Sequence, residues 1–219
     1  MRLLALDLAT TTGWAYHDSA DHYTRSGSAS FAIRTQPTKS VSADFAGLRF
    51  RLFRDWLVNR IQLDRVELIA YEGVVGGARA GGNTSLIQKG FEALLLEGAT
   101  HRHSSGWNHC GVWSFAPATI KKWATGDGRL THESKGEMVA SARKEFAAQE
   151  FVPHRPTKSQ PWAWDDNQCD ALWLLDLSLA VWKVAHAEQG NLALLLPPEA
   201  LTSYAHRLTL AKWPRTKAR

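Results

Sequence analysis

The sequence begins with a short apolar run that contains one acid, LLALDL at residues 3–8, followed by ATTTGWAYH at residues 9–17. The run predicts a buried β-strand, because compact apolar stretches bounded by turn residues are typical of one. The Thr-rich segment from Ala9 to Gly13 predicts a turn, and an extended pattern resumes from Trp14 to His17. We therefore predict a β-hairpin with Asp7 at the end of its first strand.

The rest of the chain alternates predicted strands and helices. We predict strands at Ser28–Ile33, Val66–Tyr71 and Gly111–Phe115, and helices at Asp44–Gln62, Thr84–Thr100, Ala118–Ala124, Ser134–Gln149 and Asp166–Ala187. This order favours an α/β layered domain with a central mixed sheet. We predict that residues 1–189 form this domain. Residues 190–219, which contain Pro197-Pro198 and end in basic residues, are predicted to form an appendage.

Composition limits the possible functional classes. The 219 residues are 44% hydrophobic, which suffices for one packed core. Only two cysteines are present, so a disulfide framework and a four-Cys zinc site are excluded. Asp176 interrupts the longest apolar stretch, so we expect no membrane span and a reducing, cytoplasmic location. A formal charge of +5 favours a polyanionic partner.

Four acids are the leading candidates for a functional site: Asp7, Glu72, Asp166 and Asp170. The first two end predicted strands, and the last two are four residues apart on a predicted helix and share a face. Their surroundings are apolar, and buried carboxylates that converge repel one another unless cations neutralise them. Oxygen ligands favour Mg²⁺ or Mn²⁺ over zinc. We therefore predict a metal site, in which two ions about 4 Å apart would support phosphodiester cleavage.

Each acid also has a purely structural interpretation. Asp7 could be a turn or cap residue at the end of its strand. Glu72 could be a salt-bridged residue at a sheet edge. Asp166, and even more Asp165, could be an acid at the start of a helix, where the helix dipole favours negative charge. The four positions taken together favour the metal site.

Four segments occur in the order of the motifs of a known family. The segments are ALDLATTTGWA, IAYEGV, the stretch from Pro117 to Lys135, and DDNQCDALWLL. Over residues 1–187 they resemble RuvC-type Holliday junction resolvases of the RNase H-like superfamily. The resemblance implies an RNase H-like mixed five-stranded sheet flanked by helices. It also implies a metal-dependent endonuclease, usually a homodimer, that acts on Holliday junctions and other branched DNA.

The resemblance also assigns the acids a catalytic, metal-binding role. Asp7, Glu72 and Asp170 match the metal-binding carboxylates of the family. The family usually has a further ligand three residues before the last Asp, and Asn167 stands there in this chain. We choose the adjacent Asp166 as the fourth ligand, with Asn167 as a neutral alternative.

Basic residues between the acidic motifs are candidate DNA contacts. Lys121 and Lys135 match family lysines that approach the DNA backbone, and Lys122 adjoins the first of them. The family carries a junction-entering aromatic near the position of Val75, and Arg79 in the Gly-rich loop could replace it. Contacts of this kind neutralise phosphates without reading sequence. Each could equally be ordinary solvated surface.

Three alternative functions stay open at this point. One is an RNase H-like nuclease that acts on RNA–DNA hybrids or on other structures. Another is an actin-like or sugar-kinase-like ATP-binding protein, whose phosphate loop also begins with a strand, an Asp and a Thr-rich turn. Such proteins need a second glycine-rich phosphate motif, which this sequence lacks. The third is a catalytically silent DNA-binding module.

Overall fold

The computed structural model describes residues 1–33, 43–73, 82–104, 110–128, 132–153 and 164–189. The strands within these ranges are β1 (Arg2–Asp7), β2 (Thr11–Asp18), β3 (Tyr23–Ser30), β4 (Leu68–Glu72) and β5 (Gly111–Phe115). The helices are α1 (Ala43–Leu63), α2 (Gly82–Ser104), α3 (Pro117–Thr125), α4 (His132–Glu145) and α5 (Asp166–Gln189). The predicted Gly-rich loop, the Pro-containing loop and the appendage at 190–219 lie largely or wholly outside the described residues. None of the described helices is long and apolar enough to cross a membrane.

The strands form one mixed sheet with the order β3-β2-β1-β4-β5. The first three strands are joined as antiparallel neighbours, and β4 and β5 run parallel to β1. Each parallel pair is separated in sequence by at least one helix, as the crossover connection between parallel strands requires. This arrangement confirms the predicted RNase H-like mixed five-stranded sheet flanked by helices.

The third strand is the main error in the predicted secondary structure. The prediction placed it at residues 28–33, on an alternation of small polar and apolar residues, but β3 spans Tyr23–Ser30. The strand is set by its hairpin pairing with β2, from Asp18↔Tyr23 to Thr11↔Ser30. As an edge strand, β3 buries little beyond Gly27, so hydrophobic alternation does not mark it. Phe31 follows the strand and packs into the core instead.

Alternation along the central strands separates two cores. On β1, Leu4 and Leu6 face the side covered by α1 and α2, whereas Leu3 and Ala5 face α3, α4 and α5. Successive side chains of a strand point to opposite faces, so Asp7 lies on the same face as Leu3 and Ala5. The first predicted acid is therefore directed toward α5.

Small residues let α5 approach the sheet closely. Ala5, Ala15 and Ala70 all face this helix. At Gly13 there is no room for a side chain, since an added Cβ would stand 1.8 Å from the backbone oxygen of Asn167. Backbone therefore meets backbone where α5 begins, and only glycine fits on the strand.

Candidate active site

Two of the predicted acids end neighbouring parallel strands. Leu6 of β1 pairs with Tyr71 of β4, so the next residues, Asp7 and Glu72, end these strands side by side. Ala70 faces α5, and Glu72, two residues later, has the same orientation. The sheet therefore directs both carboxylates toward the same helix.

The other two acids occupy the first two turns of α5. Asp166 is the first residue of the helix, and Asp170 follows one turn later on the same side. Both are buried, at 4% and 8% exposure. The preceding residue, Asp165, has a different role. Its Oδ1 accepts hydrogen bonds from the backbone N–H groups of Asn167 at 2.9 Å and Gln168 at 3.4 Å, which caps the helix.

A buried glutamine fixes the start of α5 to its surroundings. The Gln168 amide nitrogen donates to the backbone oxygen of Glu150 at 2.8 Å and to Ser26 Oγ of β3 at 2.9 Å. Its amide oxygen accepts from the backbone N–H of Val152 at 2.7 Å. These bonds, together with the contact at Gly13, hold Asp166 and Asp170 in a fixed position relative to the sheet.

Lys135 of α4 reaches between the two acids of α5. Its Nζ lies 2.7 Å from Asp166 Oδ2 and 3.4 Å from Asp170 Oδ2. Burial opposes the charged form of this lysine, but the negative charges of Asp170, Asp166 and Asp7 raise its pKa above the usual value. Lys135 is therefore a cation held inside the acidic site.

Burial and mutual repulsion raise the pKa values of Asp7, Glu72 and Asp170. Burial raises the pKa of Asp7 well above its ordinary value, and the charges of Glu72 and Asp170 raise it further. Burial and the charge of Asp170 raise the pKa of Glu72 to about 7. Burial also raises the pKa of Asp170, against the opposing charge of Lys135. One ammonium therefore compensates only part of the negative charge.

A cavity opens beside these groups. It has a volume of about 260 Å³, and its lining residues are Glu72, Pro117, Ile120, Lys121, Lys135, Met138 and Asp170. Asp170 Oδ1 is buried and has no hydrogen-bond partner among the described residues. A buried carboxylate oxygen without a partner is costly, so this atom marks a place where a ligand would be stabilising.

The donor set fits an oxygen-preferring divalent cation such as Mg²⁺ or Mn²⁺. The donors available are carboxylates, and one of their oxygens lacks a partner. However, the described residues contain no group of three or more His, Cys, Asp or Glu side chains already arranged to hold a metal ion. The ion pairs of Lys135 with two of the acids give a physical reason, because the ammonium fills the space between them.

Two of the predicted DNA-contact residues line the cavity. Lys121 of α3 and Lys135 both line the cavity, next to Glu72 and Asp170. Lys122 is half-buried on α3 outside that lining. Arg79 lies outside the described residues. Helix α3, which carries Lys121 and Lys122, begins with Pro117 in its first turn and ends at Gly126, which has a left-handed conformation with φ 80°.

Three features of the site were not predicted from the sequence. They are the ion pairs of Lys135, the close approach at Gly13 and the bonds of Gln168 at the start of α5. A glycine at the position opposite Asp7 in a hairpin was a usable signal, because glycine within a strand marks close backbone approach. The other two depend on how distant elements pack and leave no local pattern.

Solved structures of other proteins align with this chain. Thermus thermophilus RuvC aligns with a TM-score of 0.51 and 16% identity, over 80% of this chain and 90% of that chain. T. thermophilus RuvC in complex with a Holliday junction substrate aligns with a TM-score of 0.50 and 15% identity, over 80% and 89%. The yeast mitochondrial Holliday junction resolvase Ydc2 aligns with a TM-score of 0.49 and 12% identity, over 94% and 84%.

The first two alignments establish the class of fold, which is RNase H-like. Within this class the chain has the fold of RuvC, as the resemblance of its motifs implied. No protein-family model matches the sequence, and no curated protein sequence matches it significantly.

Proposed function

We propose that this protein is a metal-dependent, structure-selective DNA endonuclease that resolves four-way (Holliday) junctions by phosphodiester hydrolysis. The observation that carries the proposal is the set of four acids on one face of a RuvC-like fold, of which Asp166 and Asp170 are buried and Asp7 and Glu72 half-buried, next to a cavity lined by two lysines. Acids brought close together with limited solvent exposure reduce stability, so their placement together favours a chemical role.

Asp7, Glu72, Asp166 and Asp170 would hold Mg²⁺ or Mn²⁺, and we propose two ions per site. When bound, such ions polarise the phosphodiester, activate water and stabilise the leaving oxygen. The hydrogen bonds at the start of α5 hold Asp166 and Asp170 at a fixed position relative to the strand ends that carry Asp7 and Glu72. The lysines of the cavity wall neutralise the phosphates that flank the cut.

We further propose that the partner is branched DNA and that the protein acts as a homodimer in the cytoplasm. A symmetric pair of cuts in a four-way junction requires two active sites, which a two-fold dimer supplies. The formal charge of +5 favours attraction to DNA.

A junction-cleavage assay with and without Mg²⁺ tests the proposal. We expect the wild type to cut four-way junctions only with the metal. We expect Asp170→Asn to lower the rate by more than about 100-fold, because loss of a direct ligand should exceed the 10- to 100-fold cost of removing an outer-shell partner. Asp55→Asn is the matched control, since this Asp is exposed on α1 and should leave the rate unchanged.

The same assay distinguishes the alternative functions. Faster cutting of flaps or RNA–DNA hybrids than of junctions would favour a different RNase H-like nuclease. ATP turnover without DNA would favour an actin-like or sugar-kinase-like protein. We expect Asp7→Asn to abolish cleavage but to retain junction binding, because the phosphate contacts remain. A wild type that binds junctions without cutting them under any metal would indicate a silent DNA-binding module.

A further inference from the structure

The ammonium of Lys135 stands in an unusual place for a lysine that contacts DNA. Its Nζ is within 3.4 Å of one carboxylate oxygen on each of the first two turns of α5. The side chains of Asp166 and Asp170 are only 5% and 10% exposed, whereas that of Lys135 keeps 32% exposure. Lys135 therefore covers the two buried carboxylates on the side that faces solvent.

We propose that Lys135 is the resident counter-ion of the carboxylate site and that a divalent cation binds by displacing it. This inference rests on the metal site of the proposed function. Converging buried carboxylates that are ionised need a compensating positive charge nearby. Lys135 supplies that charge in the metal-free protein, and the metal ion supplies it afterwards.

The two cations compete for the same oxygens. Asp166 Oδ2 and Asp170 Oδ2, which pair with Lys135, are among the atoms that a metal would use, and Asp170 Oδ1 beside them has no partner among the described residues. A divalent ion carries twice the charge of an ammonium and accepts several carboxylate oxygens at once. Replacing the ammonium with a divalent ion therefore gives partners to more of the carboxylate oxygens.

The structure also gives the displaced side chain somewhere to go. Lys135 lines the cavity of about 260 Å³, so its flexible four-carbon stem can rotate into that space. Helix α4 stays in place during this movement, because Met138 and Val139 of the following turn are buried in the core. The movement is one of the side chain alone.

The displaced ammonium then lies beside Lys121, on the wall that would face the DNA. Metal binding thus converts Lys135 from an internal counter-ion into a phosphate contact. Metal and DNA binding become coupled, since each favours the same position of one side chain, and such coupling is reciprocal.

Amine labelling of the wild-type protein tests the displacement directly. We expect acetylation of Lys135 by an N-hydroxysuccinimide ester, quantified by mass spectrometry, to be several-fold faster with Mg²⁺ than with EDTA. Lys144 is the control, because it is exposed near the end of the same helix and its labelling should not respond to the metal. Equal labelling of Lys135 with and without bound Mg²⁺ would overturn the proposal.

Manganese binding to a variant provides the second measurement. Lys135→Met keeps an apolar side chain of similar reach and removes the charge, so Mn²⁺ should bind about tenfold more tightly, within the usual range for coupled sites. Lys135→Gln should behave similarly if the first variant folds poorly, and Lys144→Met should match the wild type. Unchanged or weaker Mn²⁺ affinity in both Lys135 variants would overturn the inference.

These outcomes separate the inference from the proposed function. Neither measurement uses DNA or cleavage, so a wild type that shows metal-driven labelling but cuts no junction would support the inference and contradict the nuclease. A wild type that cuts junctions with Mg²⁺ while Lys135 labelling stays constant would do the reverse.

Discussion

The two faces of the sheet are built from different kinds of contact. The face covered by α1 and α2 is aromatic: Phe53 and Phe91 stack with ring centroids 4.1 Å apart, and Phe31 meets both edge-on. The face covered by α5 also has aromatic core residues, such as Trp113, Phe115 and Trp173, but it contains buried polar and charged groups as well, among them Asp170 and Gln168. The comparison indicates a division of roles, in which both faces contribute core packing and the α5 face also accepts repulsion in order to hold reactive groups.

The largest expected effect comes from Gly13→Val, which places a side chain where β2 contacts the start of α5. Its Cβ would lie 1.8 Å from a backbone oxygen, so the helix or the strand must move. We expect loss of the folded protein, or of all cleavage in whatever folds, measured by circular dichroism and the junction assay.

Gly47→Ala is the matched control for that substitution. Gly47 lies in α1, and an added Cβ there has nothing within 4 Å. Alanine should therefore stabilise the helix by about 0.5–1 kcal/mol. If Gly13→Val were as well tolerated, the contact at Gly13 would not be needed to hold α5 against the sheet.

Phe53→Ala tests the aromatic face. This side chain is fully buried, so its truncation should lower the free energy of unfolding by about 3–5 kcal/mol. The molecules that remain folded should keep the wild-type cleavage rate and Mn²⁺ affinity. Chemical denaturation and single-turnover cleavage measure the two quantities, and a loss of rate per folded molecule would contradict the division of roles.

Asp7→Asn should have the opposite effect on stability. Burial and neighbouring acids raise the pKa of Asp7, so replacing it with a neutral amide in metal-free protein should raise the free energy of unfolding by about 1–2 kcal/mol. Asp18→Asn is the control, because Asp18 accepts hydrogen bonds from Arg2 Nε and the Ala20 backbone N–H, each at 3.0 Å. That variant should lose stability. Thermal denaturation in EDTA distinguishes a gain from a loss.

The most gradual expected effect is a pH dependence from Glu72, whose pKa is raised from 4.5 to about 7. Below pH 4.5 the group is protonated in both states. Between these values the unfolded chain ionises first, so the stability of metal-free protein should fall as pH rises, and the loss is complete above about 7. One proton contributes at most about 1.4 kcal/mol per pH unit.

Urea denaturation at several pH values in EDTA measures this dependence. We expect Glu72→Gln to lose stability less steeply with pH than the wild type, because one of the carboxylates that resist ionisation is gone. Parallel curves for the two proteins would show that Glu72 does not contribute.

The positions of the four acids on their strands and helix could be predicted from the sequence, because strand and helix periodicity are enough to place them. Asp7 and Glu72 end apolar runs, and the spacing of Asp166 and Asp170 is one helical turn. Period-2 and period-3.6 patterns are local, so they can be read without knowledge of packing. The choice of Asp166 as a metal ligand remains a prediction, although Asp165 is now seen to cap the helix.

The remaining features depend on packing between distant elements. The predicted role of Lys135 was a DNA contact, and no local pattern indicated that α4 would direct its ammonium between two acids of α5. The bounds of β3 were misplaced because an edge strand need not alternate, and its extent follows from pairing with β2. Such features are set by tertiary contacts rather than by propensity.

The alternation of β1 also has a consequence for how accurately the protein folds. A slip of one residue between β1 and β4 would turn every side chain of the slipped strand to the opposite face. Asp7 would then enter the aromatic core around Phe53 and Phe91, where burying a carboxylate costs several kcal/mol. The misregistered sheet is disfavoured by the same residue that we propose for catalysis. Asp7 therefore favours the correct pairing of β1 with β4 during folding, in addition to its proposed catalytic role.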